Sequence, residues 1–139
     1  MIEGRNYING ELVTSKGDNF DNLNPCTKEI IGSFPKTPLP EVQDAVSFAS
    51  VAFSSWKNVS RLHRGDMFWS LAELIRRDTD KLADLISLET GKNRNESYAE
   101  VIESLHMVQH VAGTARDSIG RVVASELAEK EAHIVRKPK

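Results

Sequence analysis

The sequence lacks most of the features that mark a secreted or membrane protein. It has one cysteine in 139 residues, so no internal disulfide can form, and a single thiol fits a reducing compartment. No apolar run approaches the roughly 20 residues that cross a bilayer. The first residues, Met-Ile-Glu-Gly-Arg, contain no apolar signal-peptide core. We therefore expect the chain to be cytoplasmic and to have no membrane partner.

An excess of charge of one sign is also missing. The sequence has 18 basic and 20 acidic residues, which leaves a formal net charge of −2. Such a balance provides no electrostatic footprint for nucleic acid, so we expect none as a partner. Hydrophobic residues make up 40% of the chain and charged residues 27%, values typical of a folded globular domain rather than a disordered segment.

Common catalytic and nucleotide-binding motifs are absent as well. The sequence contains no G-x-G-x-x-G, Walker, G-x-S-x-G, C-x-x-C or H-E-x-x-H pattern. Cys26 lies in a turn signal with only Lys28 as a nearby charge, so we interpret it as a turn residue rather than a nucleophile. Glu103, His106 and His110 share a helix face and could hold a metal. That face is opposite the apolar one, where a solvated surface is expected.

The longest periodic segment predicts a helix from Glu96 to Ile119, about 36 Å long. Asn95 is the predicted N-cap, and Gly120 the predicted stop. Apolar residues recur in this segment at steps of three and four, which places them on one face: Tyr98, Val101, Ile102, Leu105, Val108, Ala112, Ala115 and Ile119.

The first third of the chain predicts a small antiparallel ribbon. Asn9-Gly10 between apolar residues is a strong hairpin signal. Phe20 and Leu23 mark a further strand, a turn follows, and Ile30 to Phe34 form another strand that Pro35 ends.

Three more helices precede the long one. The first begins near Pro40, Ser60 caps the second, and Asp78 or Thr79 starts the third, which ends before Gly91 in the C′ position. The predicted inward positions are Val42, Ala45, Val46, Ala49, Phe53 and Trp56 in the first, Met67, Phe68, Leu71, Leu74 and Ile75 in the second, and Leu82, Leu85, Ile86 and Leu88 in the third.

The last 20 residues predict little regular structure. Residues 121–130 are predicted to be irregular, and residues 132–137 alternate like an exposed strand. That strand has no obvious partner other than the N-terminal ribbon or a second copy of itself.

Five stretches, in order, resemble the N-terminal region of NAD(P)-dependent aldehyde dehydrogenases: YINGE, NPCTKEIIGSFP, AVSFASVAFSSW, R…LAELIRRDTDKLADLISLETGK with the long helix, and RKPK. The resemblance implies an α/β fold of which residues 1–139 form the N-terminal part of the cofactor-binding domain. This part would be mostly helical, with a small antiparallel β-ribbon, four helices and a terminal strand. Residues 131–139 would lead into the oligomerisation strand. Lys28 stands where the family usually has glycine.

Members of that family oxidise an aldehyde to a carboxylic acid with NAD or NADP. Their Pro-Trp-Asn segment, cofactor-binding glycines, general-base glutamate and nucleophilic cysteine match no position in this chain. The resemblance therefore implies that these 139 residues alone are inactive and bind no cofactor. Their partner would be the remainder of the polypeptide, within a homo-oligomer.

One site residue set can be transferred from the family. In some members a monovalent cation lies between backbone oxygens of the first ribbon and an acidic residue at the end of the third helix. Here that set is Asn22, Leu23 and Glu89; alternatively, Glu89 is simply solvated near the helix end. Two other functions stay open: a free-standing helical protein-interaction module derived from the family, and a metal-binding helical domain around His106 and His110.

Overall fold

The computed structural model describes residues 1–138; Lys139, the last residue of the predicted 131–139 segment, lies outside the described residues. Its elements in chain order are β1 (Ile2–Glu3), β2 (Asn6–Ile8), β3 (Glu11–Val13), β4 (Asn19–Leu23), β5 (Ile30–Pro35), α1 (Leu39–Trp56), α2 (Arg61–Arg77), α3 (Thr79–Thr90), α4 (Arg94–Gly113), a 3₁₀ turn (Thr114–Arg116), β6 (Gly120–Val123) and β7 (Ala132–Val135).

The N-terminal strands form two small sheets. β2 and β3 pair as the predicted hairpin, and Asn9 and Gly10 have φ of 53° and 84°. Positive φ at both central residues identifies a type I′ turn, whose twist matches the paired strands. β4 and β5 pair antiparallel as predicted, and β1 adds a parallel strand on the other edge of β5. β1 was not predicted, because two residues are too few to show an alternating pattern.

The core lies where α4 packs against α2 and α3. Gly65 lets α2 approach the end of α4: a β-carbon there would lie 3.3 Å from the Ala112 carbonyl oxygen and 2.7 Å from Cβ of Ala115 in the following 3₁₀ turn. Between α3 and α4, the Ser87 hydroxyl donates to the fully buried Ser97 Oγ at 2.9 Å. The buried hydrophobic residues of the described chain are Ala72, Ala83, Val101, Leu105 and Ala112.

The prediction for the long helix was wrong at both ends. α4 begins at Arg94, capped by Asn93, whose Oδ1 accepts a hydrogen bond from the Asn95 backbone N–H at 2.8 Å. It ends at Gly113, where the chain tightens into the 3₁₀ turn. The apolar period continues past this point, but the guanidinium of Arg61 holds the carbonyls of Thr114 and Asp117. These side-chain contacts stabilise the ending of the helix.

The prediction for the last 20 residues also needs correction. Gly120 begins strand β6 instead of stopping a helix, and residues 120–123 are not irregular. β6 pairs antiparallel with β7, so the terminal strand has a partner within the chain. A β-carbon at Gly120 would lie 2.0 Å from the Ile134 carbonyl oxygen. Because glycine has no side chain, the two strands can approach each other at this position.

Several predicted inward positions are exposed in this structure. α1 has no buried residue, and Leu85 and Leu88 of α3 are each 37% exposed. In α2 the fully buried face is formed by Gly65 and Ala72 rather than by the large apolar side chains. The periodicity correctly indicated amphipathic helices, but it cannot say which stripe finds a covering element. Met67, Phe68, Leu71 and Leu74 are all among the exposed residues.

Candidate functional site

The loop between β4 and β5 is a corner held by hydrogen bonds to Asn24. Its side-chain Oδ1 accepts hydrogen bonds from the backbone N–H groups of Cys26 at 2.9 Å and Thr27 at 3.3 Å. Its backbone carbonyl accepts a hydrogen bond from the Lys28 N–H at 2.8 Å. Asparagine favours such turns because its side chain satisfies the backbone two residues on. Lys28 has φ of 65°, a left-handed conformation that glycine adopts more easily.

This loop packs on the turn between α3 and α4. Gly91 ends α3 with φ of 72°, as predicted for its C′ position, and its N–H donates to the Ser87 carbonyl at 2.9 Å. The Cys26 thiol donates to the Gly91 carbonyl at 3.8 Å. A β-carbon at Gly91 would lie 2.8 Å from Cys26 Sγ and 3.0 Å from Pro25 Cγ. Glycine at this position thus allows the backbone turn that ends α3 and the close packing of the β4–β5 loop on it.

The three residues of the predicted cation site belong to segments that meet at this corner. Asn22 and Leu23 end β4, where the register with β5 shifts between them. Glu89 is exposed in the last turn of α3, two residues before Gly91. The register shift interrupts the regular ladder at the positions whose backbone oxygens the prediction requires. The cation site itself stays a prediction.

A catalytic centre is not assembled from the described residues. Within residues 1–138 no group of three His, Cys, Asp or Glu side chains lies close enough to hold a metal. Cys26 is an exposed free thiol whose side-chain hydrogen bond goes to a backbone carbonyl rather than to a base. Glu103, His106 and His110 are exposed on α4, and among the described residues they do not come together as a three-ligand group.

A shallow groove of about 310 Å³ separates the β2–β3 hairpin from α1. Phe48, Asp44 and Glu41 are among the residues that line it. The backbone N–H of Lys16 donates to Glu41 Oε1 at 3.0 Å, and with the Ser15 hydroxyl it holds the pKa of Glu41 below its ordinary value. This carboxylate joins the loop after the hairpin to the start of α1, so its role in the groove is structural.

Sequence reasoning missed Arg61, which connects α2 to the end of α4. Its Nη2 donates to the Thr114 carbonyl at 2.7 Å and its Nη1 to the Asp117 carbonyl at 2.9 Å. These partners are more than 50 positions away in the sequence. The sequence shows only an arginine directly after the Ser60 cap, and no nearby residue indicates what its side chain binds.

Another feature of the structure is the open apolar side of α1. Val42, Val46 and Trp56 lie on one face of this helix and are 44%, 61% and 43% exposed. No other element of the described chain packs closely on this helix. Full burial of each large apolar side chain is worth about 1.5–3 kcal/mol. This helix therefore presents a surface suited to a covering partner. None of the described helices is both long and apolar enough to cross a membrane.

Comparison with known proteins gives a consistent result. The family model described as aldehyde dehydrogenase family matches residues 12–139. A malonate-semialdehyde dehydrogenase of Bacillus velezensis is 36% identical over 135 residues, which are 96% of this chain and 28% of that protein. A Caenorhabditis elegans protein described as a probable mitochondrial methylmalonate-semialdehyde/malonate-semialdehyde dehydrogenase, acylating, is 35% identical over 95% of this chain and 25% of its own length.

Solved structures agree with the sequence comparison. A Staphylococcus aureus betaine aldehyde dehydrogenase in complex with NAD⁺ superposes with a TM-score of 0.92 at 30% identity. The match covers 99% of this chain and 28% of that one. The fold of lactaldehyde dehydrogenase from Escherichia coli is also similar, with a TM-score of 0.88 at 24% identity. The chain thus spans between 25% and 28% of the length of these four relatives.

Proposed function

The chain belongs to the aldehyde dehydrogenase family and corresponds to its N-terminal portion, and from this we propose that it acts as the N-terminal segment of an NAD(P)-dependent enzyme that oxidises an aldehyde to a carboxylic acid. The observation that carries the proposal is the match itself: 99% of this chain superposes on 28% of an NAD⁺-bound betaine aldehyde dehydrogenase. The activity, the cofactor and the partners are proposed for the whole enzyme and not for this segment alone.

In this proposal the segment has a structural rather than a catalytic role. The described residues provide no glycine-rich cradle for a dinucleotide and no nucleophile paired with a base, so they do not fit a role in binding NAD or NADP. The open apolar side of α1 supports a role in packing against the remainder of the polypeptide. We further propose that the enzyme is a homo-oligomer and that residues 131–139 lead into its oligomerisation strand.

We also propose that Asn22, Leu23 and Glu89 hold a monovalent cation. Two backbone carbonyl oxygens and one carboxylate form an all-oxygen donor set, which suits a hard cation. The strand irregularity between Asn22 and Leu23 and the exposure of Glu89 support the proposal. The single cysteine supports a cytoplasmic location for the enzyme.

The test compares the 139-residue chain with a longer reading frame that continues past Lys139. The longer protein should reduce NAD⁺ or NADP⁺ with aldehydes, whereas the 139-residue chain should give no rise in NAD(P)H absorbance. Turnover by the short chain that survives repurification and is lost in Cys26→Ser would contradict the structural role.

Tryptophan exposure provides an independent readout of packing. Trp56 is 43% exposed and Trp69 is 48% exposed, and the chain has no other tryptophan. Acrylamide should quench both strongly in the short chain and at least one of them weakly in the longer protein. The single-tryptophan variants Trp56→Phe and Trp69→Phe assign the signal. Equal quenching in the two proteins would argue for a free-standing module.

A further inference from the structure

The exposed face of α4 carries two histidines one helical turn apart. His106 and His110 are both exposed, on the side of the helix opposite the buried Val101 and Leu105. Among the described residues, neither imidazole takes part in an ion pair, whereas His133 lies 3.3 Å from Glu131. The two rings are therefore accessible and available to a ligand from solvent.

The spacing suits joint binding of one metal ion. Side chains four positions apart on a helix have Cβ atoms about 5–6 Å apart. Two imidazole nitrogens can then each reach one ion at about 2.0–2.1 Å, as they do in helical H-x-x-x-H pairs. Imidazole is a preferred ligand of Ni²⁺, Cu²⁺ and Zn²⁺.

The local charge also favours a cation. His110 lies in the last turn of α4, where the helix carries partial negative charge. Glu103 adds an acidic side chain one turn before His106, and residues 102–114 contain no lysine or arginine. A bound divalent ion would meet no neighbouring positive charge on this stretch of helix.

We propose that His106 and His110 form a two-imidazole surface site for a divalent late-transition-metal ion. Water completes the coordination, because no group of three ligand side chains comes together within residues 1–138. The site is therefore open and exchangeable, unlike a closed structural zinc centre. It replaces the three-residue set with Glu103 that the sequence suggested, and it is independent of the proposed enzymatic role.

The experiment is a calorimetric titration of the untagged 139-residue chain with Ni²⁺, which does not oxidise the Cys26 thiol. One ion per chain should bind. His106→Ala and His110→Ala should each lower the affinity at least about tenfold, because the second imidazole acts at high effective concentration once the first is bound. The matched controls His63→Ala and His133→Ala should leave the affinity unchanged.

A variant with the same number of histidines tests the geometry. His110→Ala combined with Val111→His places the second ring five positions from His106, on a different face of the helix. It should bind Ni²⁺ as weakly as His110→Ala alone, with an unchanged far-ultraviolet circular dichroism spectrum. Wild-type affinity in this variant, or undiminished binding in His106→Ala, would overturn the proposal.

Discussion

Replacement of Gly91 by alanine should destabilise the chain through two separate effects. The residue has φ of 72°, and a β-carbon in the left-handed region costs about 1–2 kcal/mol. The loss of glycine's freedom in the unfolded chain offsets about 0.4–1 kcal/mol of this cost. The second effect is steric, because the new β-carbon would lie 2.8 Å from Cys26 Sγ and 3.0 Å from Pro25 Cγ. Overpacking of this kind typically costs about 1–3 kcal/mol.

After subtraction of the unfolded-state offset, the two effects add to an expected loss of about 1–5 kcal/mol in the free energy of unfolding of Gly91→Ala. Gly91→Val should lose at least as much. The measurement is urea unfolding followed by circular dichroism at 222 nm, which reports the four helices. A common slope for all variants allows the midpoints to be compared directly.

Two further variants separate the effects. Gly91→Asn keeps the β-carbon but tolerates the left-handed conformation better, so it should be more stable than Gly91→Ala by up to about 1 kcal/mol. Cys26→Ala removes Sγ and should recover about 1 kcal/mol or more in the Gly91→Ala background but not in the wild type. The absence of any coupling between positions 26 and 91 would refute the proposed contact between ribbon and helices. An unchanged midpoint for Gly91→Ala would also remove the helix-end assignment.

Three other substitutions are expected to show smaller effects. Gly113→Ala should raise the free energy of unfolding by about 0.5–1 kcal/mol, because the residue is helical and a β-carbon there meets nothing within 4 Å; urea unfolding measures this, and destabilisation would contradict it. Lys28→Gly should be neutral or stabilising by up to about 1 kcal/mol in the same assay, because φ is 65° at this position; a clear loss would mean that the lysine side chain contributes elsewhere. The lowered pKa of Glu41 should contribute stability above its ordinary pKa that is lost as the pH falls through the lowered value. Glu41→Gln should remove this component from the pH dependence of the urea midpoint, and an identical pH dependence in both proteins would refute it.

The sequence by itself determined the features that depend on neighbouring residues. The Asn9-Gly10 turn, the Ser60 cap and the Gly91 helix end follow from local backbone conformation and from side chains that bond within three positions. Periodicity predicted the four helices in their order for the same reason. The ordered stretches from YINGE to RKPK also identified the family, which the family model matching residues 12–139 confirms.

Only the tertiary structure decided where the long helix ends and which apolar faces are covered. The carbonyls of Thr114 and Asp117 bind Arg61 from more than 50 positions away, and no local pattern encodes that distance. The pairing of β6 with β7 and the seating of Cys26 on Gly91 are likewise contacts between remote segments. An amphipathic stripe specifies that a face prefers to be buried. The partner that buries it depends on the arrangement of the whole molecule, and for α1 no element of the described chain provides that cover.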